Sequence, residues 1–307
     1  MRLGRGWRLR IMRQGLTRRG TAGGLLLLLA SITLAAQASD RVLYVTVFER
    51  DTYAPVTGLG PTDVVIREDG AAREVLRVDP ATSPMPIAVI VDNSAGASAT
   101  IPDLRRALAT FLRDLDGIGP IALITVADRP TVHQDYTTNQ EALQAAAGRI
   151  FAGPQSGATL LDALIEVNRG LEKRESDRAA VVVVTTENVE YSTRHYRDVL
   201  EGLQASGAVM HAIVYTNGGR LGLDDAARNR ASVLDLGPKE SGGIRFDVLT
   251  SMSYEAKLQD IARILTSQQR VVYSRPQRLL PPETIEVAAA KPGLTASGAP
   301  ARGQAGK

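Results

Sequence analysis

The chain contains no cysteine in its 307 residues. This absence excludes disulfide bonds, thiol catalysis, iron–sulfur clusters and cysteine-bound zinc. Histidine is also scarce: the three histidines, His133, His195 and His211, are scattered without metal-ligand spacing, so no histidine metal site is expected. Aromatic residues make up 4% of the chain, and no basic patch is interleaved with them, which argues against a nucleic-acid partner.

Acidic residues are missing from the first nineteen positions, which hold seven arginines. A short apolar core follows at 25–34, and Ala36-Gln-Ala38 supplies a small-x-small ending. These features predict a secretory signal peptide at 1–38, cleaved after Ala38, and hence an exported protein that is periplasmic or secreted. The core is too short for a comfortable transmembrane helix of about 20 residues. An uncleaved signal anchor is the alternative, and it would be the chain's contact with a membrane.

The basic character of the chain comes from this leader. The whole chain has 36 Lys and Arg against 33 Asp and Glu, a net charge of +3. Without the seven leader arginines, 29 basic residues face 33 acidic ones, which gives −4. The mature chain therefore has no cationic surplus that would attract nucleic acid.

Residues 40–79 predict a small β module. Three segments within it are rich in β-branched and aromatic residues: 42–48, 64–66 and 73–78. Asp69-Gly70 favours a tight hairpin between the last two, because both residues tolerate the positive φ of the turn. Residues 80–86 contain three prolines and predict a linker.

From residue 87 to about residue 275, segments of strand and helix character alternate. The predicted strands are apolar runs: 87–91, 120–126, 179–185, 209–215 and 270–273. The predicted helices have apolar residues at helical spacing: 101–115, 139–150, 160–171, 196–206 and 254–268. This alternation predicts an α/β domain over 87–275, with a doubly wound, mostly parallel sheet covered on both faces.

The C-terminal tail, residues 276–307, loses hydrophobic density. One returning strand is predicted at 284–287. The end of the tail, from about Ser297, is rich in small residues and is predicted to be disordered.

The first strand of the α/β domain ends abruptly in Asp92, and the hydroxyl of Ser94 follows two residues later. Loops at the carboxyl ends of parallel strands are where α/β sheets place their ligand sites. The loop, Asp92-Asn-Ser94-Ala-Gly96, is similar to the Asp-x-Ser-x-Ser loop of a metal-ion-dependent adhesion site, with its last serine missing.

Residues 87–275 resemble a von Willebrand factor type A domain, a doubly wound α/β fold. Three blocks carry this resemblance in order: the Asp92 loop, 157–164 and 181–188. Two flanking segments, 56–70 and 241–276, resemble the leading and closing segments of a bacterial exported subgroup of that family. The resemblance therefore covers nearly the whole mature chain.

The resemblance implies a magnesium site whose coordination is completed by an acidic residue of a partner, and thus an adhesive role rather than a catalytic one. Mg²⁺ requires near-octahedral oxygen coordination. The ligands retained in this chain are Asp92, Ser94 and Thr159. Gly96 stands where a second serine belongs, and Thr186 stands where an aspartate belongs, which predicts a degenerate metal site.

Two neighbouring residues are candidates to replace the lost ligands. Glu187 follows Thr186, but adjacent side chains of an extended chain point to opposite sides. Ser98 would replace the missing hydroxyl only if the loop were rearranged. Without a metal, Asp92 and Ser94 are expected to cap the following helix or to bond the neighbouring loops, and Thr159 is expected to cap the helix that begins at Leu160.

The leading interpretation is a non-enzymatic, exported interaction module. It would bind a protein or peptide across the carboxyl-terminal face of the sheet, and no cofactor is expected. One alternative is a functional Mg²⁺- or Mn²⁺-dependent adhesin that uses Asp92, Ser94 and Thr159. Another is a serine hydrolase that uses Ser94, although the flanking residues do not form a Gly-x-Ser-x-Gly nucleophile elbow, and no histidine has the context of a base.

Overall fold

The computed structural model describes residues 38–153, 156–216, 224–277, 280, 282 and 284–301. The predicted signal peptide lies outside the described residues except for Ala38, which opens the first strand. Among the described residues, no helix is long and apolar enough to cross a membrane.

The leading segment forms strands, as its β-branched character predicts. They are β1 (Ala38–Glu49), β2 (Val64–Glu68), β3 (Ala71–Arg73) and β4 (Val75–Pro80). Asp69 and Gly70 connect β2 to β3 with φ values of 48° and 78°. Positive φ at both central residues is characteristic of a type I′ turn, so the predicted hairpin is confirmed.

Strands and helices then alternate, also as predicted. The strands are β5 (Ile87–Val91), β6 (Ile121–Thr125), β7 (Thr131–Thr137), β8 (Ala179–Thr186), β9 (Ala208–Tyr215) and β10 (Arg245–Val248). The helices are α1 (Ile101–Asp114), α2 (Gln140–Gly148), α3 (Leu160–Arg174), α4 (Tyr196–Ser206), α5 (Asp225–Ser241) and α6 (Ser253–Thr266). A 3-10 helix, Ala95–Thr100, precedes α1.

These strands form one sheet in the order β10–β9–β8–β5–β6–β7. Every neighbouring pair is parallel except β6 and β7. Alternate residues of β5 enter two cores: Ile87, Val89 and Val91 pack on the side of α1, α2 and α6, whereas Ala88 and Ile90 pack on the side of α3, α4 and α5. The predicted doubly wound, mostly parallel α/β fold is confirmed.

The sequence analysis did not predict three elements of this domain, which are β7, β10 and α5. β7 has no buried residue, so it lacks an apolar pattern, and β10 has four residues. α5 contains Gly237 and Pro238, which argue against a helix in the sequence. Both residues are buried near the end of α5, where the helix packs on β9.

The β module differs from its predicted extent of 40–79, because the end of the chain completes it. The additional strands are β11 (Gln269–Pro276), β12 (Ile285–Ala289) and β13 (Leu294–Pro300). β11, predicted as a strand of the 87–275 domain, instead lies in a four-stranded sheet ordered β13–β1–β11–β4. β12 joins β2 and β3 in a three-stranded sheet. We call these two sheets the β assembly.

The predicted disorder from about Ser297 is wrong for residues 297–301. β13 pairs antiparallel with β1 from Leu294, opposite Glu49, to Pro300, opposite Leu43. Small residues give no hydrophobic signal, but their backbone can pair as well as any other, and they allow close packing against β1. Residues 302–307 lie outside the described residues, and the strand predicted at 284–287 is confirmed as β12.

The β assembly has a core of its own, built from both ends of the chain: Leu43, Val45, Val47, Val64, Ile66, Val271 and Tyr273. It contacts the α/β domain near the end of α6, where the Thr46 hydroxyl donates to the carbonyl of Ile264 at 2.7 Å. In the turn after β1, the ring of Tyr53 lies 4.9 Å from that of Phe246 in β10. Other loops follow the carboxyl ends of the parallel strands, and the loop after β5 carries Asp92.

Candidate functional site

The candidate site lies where the strand order of the α/β sheet reverses. β5 has β6 on one side and β8 on the other, so the connections that leave β5 and β8 run in opposite directions. Such a switch point opens a crevice at the carboxyl ends of the strands, where open α/β sheets bind ligands. Asp92 directly follows β5, and Thr185 and Thr186 end the neighbouring β8.

The Asp92 carboxylate is buried and fully hydrogen bonded. Its Oδ1 accepts from the backbone N–H and the hydroxyl of Ser94, at 2.9 and 2.5 Å. Its Oδ2 accepts from the Thr185 hydroxyl at 3.1 Å, the Thr186 N–H at 3.1 Å and the Thr186 hydroxyl at 2.9 Å. These donors compensate for the loss of water around a buried charge. Of the two metal-free roles expected for Asp92, bonding the neighbouring loops is therefore the one observed.

Ser94 is also buried and has its hydroxyl engaged on both sides. The hydroxyl donates to Asp92 and accepts from the Asn188 side-chain amide at 2.7 Å. Ser94 lies at the N-cap position of the 3-10 helix, but its side chain makes no capping bond there. A Cβ atom on Gly96 would lie 2.6 Å from Asn188 Cγ, so Asn188 fills the space that a serine at this position would need.

Thr159 is turned toward another loop. Its hydroxyl donates to the carbonyl of Ala127 at 2.9 Å. Thr159 occupies the N-cap position of α3, but it makes no side-chain capping bond, so the predicted capping role is wrong. The structure thus joins Asp92 and Ser94 directly and gives the Thr159 hydroxyl a separate partner.

The positions considered as substitutes do not join the cluster. Thr186, which stands where the resemblance would place an aspartate, donates its hydroxyl to Asp92 instead of adding a second negative charge. Glu187 is half-buried, and its N–H donates to the carbonyl of Tyr215 at 3.0 Å. Ser98 is exposed on the 3-10 helix.

A cation that the sequence analysis did not identify completes the cluster. Arg230, on α5, is 5% exposed. Its guanidinium donates to the Thr185 hydroxyl at 2.5 Å, to the carbonyl of Asn188 at 2.6 Å and to the carbonyl of Thr186. Its Nη2 lies 3.7 Å from Asp92 Oδ2. The sequence signal was an arginine three and four residues before Val233 and Leu234, on the apolar face of a helix that was itself not predicted.

Glu190 is a second buried carboxylate beside Arg230. Its Oε2 lies 3.7 Å from Arg230 Nε, and its Oε1 accepts from the Ser192 N–H at 3.2 Å. Burial raises the pKa of Glu190, although the Ser192 hydrogen bonds and Arg230 oppose this shift. Glu190 lies in a segment that pairs with Ala158, so it links the loop after β8 to the loop before α3.

This donor set does not fit a divalent cation in the arrangement observed. Both Asp92 oxygens already accept hydrogen bonds, the Ser94 hydroxyl is engaged with Asp92 and Asn188, and Thr159 is bonded elsewhere. A Mg²⁺ ion requires oxygen lone pairs directed at one point. Here the neighbours of Asp92 present N–H and O–H donors and a guanidinium, which would have to be displaced.

The structure also shows where the candidate nucleophile and the histidines lie. Ser94 has 0% of its surface exposed. His133 Nε2 lies 3.1 Å from the Thr125 hydroxyl, whereas His195 Nδ1 and His211 Nδ1 accept backbone N–H groups of Arg197 and Ile244. None of these contacts involves Ser94, so the hydrogen bonds of Ser94 supply no histidine base for nucleophilic catalysis.

Together, the fold and the position of the Asp92 loop define a doubly wound α/β domain with a polar cluster at its switch point. A family model described as a von Willebrand factor type A domain matches residues 87–188. Residues 87–188 thus match the von Willebrand factor type A family, as the sequence resemblance predicts. No curated protein matches the chain.

Solved structures of distant sequence are similar to the chain. One is a von Willebrand factor type A protein from Catenulispora acidiphila, with 12% identity, a TM-score of 0.48, and coverage of 87% of this chain and 73% of that one. Another is the von Willebrand factor domain of a type V pilus tip protein from Porphyromonas gingivalis, with 11% identity, a TM-score of 0.46, and coverage of 60% and 95%.

A third similar structure is the PilB minor pilin from Streptococcus sanguinis. The identity is 9% and the TM-score is 0.45. The match covers 61% of this chain and 62% of the pilin, so the chain spans less than two thirds of the length of that protein.

Proposed function

We propose that this chain is an exported, non-enzymatic interaction module that binds a protein or peptide through the carboxyl-terminal face of its α/β sheet, without a resident metal. The observation that carries the proposal is the distribution of exposed apolar side chains. Large exposed hydrophobic residues cluster on the loops of that face: Phe151, Val189, Tyr191, Leu249 and Met252. We call these five residues the apolar rim.

The apolar rim comes from three separate loops. Val189 and Tyr191 follow β8, whereas Leu249 and Met252 follow β10. Phe151 follows α2, and its carbonyl accepts the Asn93 side-chain amide at 2.9 Å, which holds this loop beside the Asp92 loop. Exposed fractions of 51% to 81% leave these side chains accessible to a partner. Exposed apolar side chains concentrated on one face of a protein mark a candidate protein-binding surface.

Hydrogen bonds hold the loops that carry Phe151 and Tyr191 of the rim. Asn93 accepts the Ala127 N–H, and its carbonyl accepts the Gly153 N–H, at 2.9 and 2.8 Å. The Tyr191 N–H donates to the Ala158 carbonyl at 2.7 Å. A preorganised surface loses less conformational entropy when it binds, which favours affinity. The buried Ser94 and the hydrogen-bonded Asp92 supply stability to this surface, and neither is placed for catalysis.

The proposal is tested by capture of a partner from envelope extracts. The bait is the purified chain, compared with a double variant, Phe151→Ser with Tyr191→Ser, that removes two apolar rim side chains. The matched control is Leu76→Ser, because Leu76 is 43% exposed on β4 of the β assembly. We expect the same partner to be retained by the unmodified chain and by the control and lost, at least about tenfold, in the double variant. Equal retention by all three would refute binding through this face.

A further inference from the structure

Arg230 is an unusual residue for the interior of a domain, because a guanidinium must be both neutralised and hydrogen bonded when it leaves water. Its side chain is 6% exposed. Three acceptors from the end of β8 and the residues that follow it meet the guanidinium: the Thr185 hydroxyl, the Thr186 carbonyl and the Asn188 carbonyl. Arg230 thus ties α5 to the segment that leads into the apolar rim.

Two carboxylates lie close to the Arg230 guanidinium. Asp92 Oδ2 and Glu190 Oε2 each lie 3.7 Å from a guanidinium nitrogen, and both carboxylates have side chains no more than 1% exposed. Thr185 connects the charges, because its hydroxyl accepts from Arg230 and donates to Asp92. Two buried carboxylates therefore share one fixed positive group.

We infer that Arg230 is a fixed cation that does in this domain what a divalent metal would otherwise do: it neutralises Asp92 and holds the loop after β8. The inference rests on the proposed function only in that this loop carries Val189 and Tyr191 of the apolar rim. Arg230 is a positioning residue, since it is buried below the binding face. The planar fork of arginine suits this role, because it directs several donors at fixed angles.

A double-mutant cycle tests whether the charge of Arg230 is matched to Asp92. The variants are Arg230→Met, Asp92→Asn and the two combined, and the measurement is the melting temperature. Arg230→Met leaves buried carboxylates uncompensated, so we expect a decrease of about 10 °C. Adding Asp92→Asn should recover part of that loss, so that the double variant melts higher than the sum of the single effects predicts. The control is Arg228→Met, on the exposed side of the same helix, which should change the melting temperature by less than about 2 °C.

The response of the melting temperature to divalent metal tests the role of the charge, because a merely structural role for Arg230 would not affect that response. The unmodified chain should melt at the same temperature, within about 1 °C, in millimolar Mn²⁺ and in EDTA, because a ligand raises stability only if it binds the native state. Arg230→Met should gain several degrees in Mn²⁺. Arg230→Lys, which retains the charge without the fork, should remain indifferent to Mn²⁺ and serves if Arg230→Met does not fold.

Additive effects in the cycle would overturn the inference, as would a Mn²⁺ response of the unmodified chain or of Arg230→Lys. A destabilised Arg230→Met that ignores Mn²⁺ would also overturn it. A Mn²⁺ response of the unmodified chain would also contradict the metal-free part of the proposed function. None of these outcomes bears on partner capture through the apolar rim, so failure of this inference is distinguishable from failure of binding through that face.

Discussion

At the scale of single residues, hydrogen-bond partners decide what a buried carboxylate can do. Asp92 has the sequence context of a metal ligand, yet its lone pairs face donors from Ser94, Thr185 and Thr186. An aspartate in place of Thr186 would face Asp92 as a like charge and would favour a cation between them. The threonine instead donates a hydrogen bond to Asp92. The identity of residue 186 therefore decides whether the negative charge beside Asp92 favours a bound cation.

His211 predicts an acid-sensitive component of stability. Its side chain is fully buried in β9, and burial lowers its pKa from 6.5 to about 4. Between these values the unfolded chain binds a proton that the folded chain does not. Stability from this residue is therefore complete above pH 6.5 and is lost as the pH falls toward about 4, by up to about 3 kcal/mol.

Urea unfolding at a series of pH values between 7 and 4 measures this component, compared with His211→Gln, whose side chain does not titrate. The variant should lack the His211 part of the pH dependence. His195→Gln, the same substitution at an exposed position, is the control for the effect of the substitution itself. Identical pH profiles for the wild type and His211→Gln would contradict the prediction.

At the scale of elements, the turn from α5 to β10 depends on a glycine for two reasons. Gly242 caps α5 in the left-handed region, with φ of 79°. A Cβ atom there would also lie 1.8 Å from the backbone carbonyl oxygen of Gly298 in β13. Gly242→Ala should therefore lower the free energy of unfolding by about 3 kcal/mol, combining backbone strain with a backbone clash.

Gly170→Ala is the matched control for that substitution. Gly170 lies inside α3, and a Cβ atom there would meet nothing within 4 Å. Alanine is the better helix former, so this variant should gain about 0.5–1 kcal/mol. Urea denaturation of both variants checks the pair, and equal effects would show that close packing against β13 does not govern the turn.

The elements that the sequence predicts are those with a strong local pattern. β8 is recognisable in the sequence by its unbroken apolar run, because both of its faces are buried. α1 and α6 are recognisable by periodic apolar residues, because each buries one stripe of its surface. β7 and β13 bury few side chains and are held largely by backbone pairing to neighbours, whereas β10 buries Phe246 and Val248 but is only four residues long. The predicted boundaries failed at β11, because periodicity identifies a strand but not the sheet that it joins.

At the scale of the whole molecule, the two ends of the described chain pair with each other in the β assembly. β1 lies between β11 and β13, and Glu68 of β2 binds Tyr273 and Arg275 of β11. A chain shortened to end at Ala289 would lack β13 and expose the edge of β1. We expect its melting temperature to fall by about 5–10 °C and the protein to associate at high concentration, since an uncovered strand edge pairs with other chains.

Thermal melting and light scattering over a range of protein concentrations check this expectation. A shortened chain that melts as the full chain does and stays monomeric would show that β13 does not stabilise the fold. A substitution at the exposed Lys291, such as Lys291→Ala, leaves β13 in place and should change neither measurement by a comparable amount.

The sequence separation of contacting residues also limits how much of the candidate site can be predicted from the sequence. The position of the site follows from the Asp92 loop, because strand ends in an α/β sheet are predictable from pattern. Its chemistry does not, since Thr186 and Arg230 reach Asp92 from distant parts of the chain. Arg230 lies on a helix whose Gly237-Pro238 pair obscured it. The location was thus predictable and the charge balance was not.

The placement of β1 also bears on the order of folding. Along most of its length its ladder partner is β11, and Ser39 bonds Arg275 across a separation of 236 residues. Contacts between distant residues close long loops and form slowly, and this separation is more than twice that of the central β5–β8 pair, in which Ile87 lies opposite Ala180. The α/β domain can therefore assemble from contacts of shorter sequence separation while β1 still lacks its partners. We expect closure of the β assembly to be the late, rate-determining event in the folding of this chain.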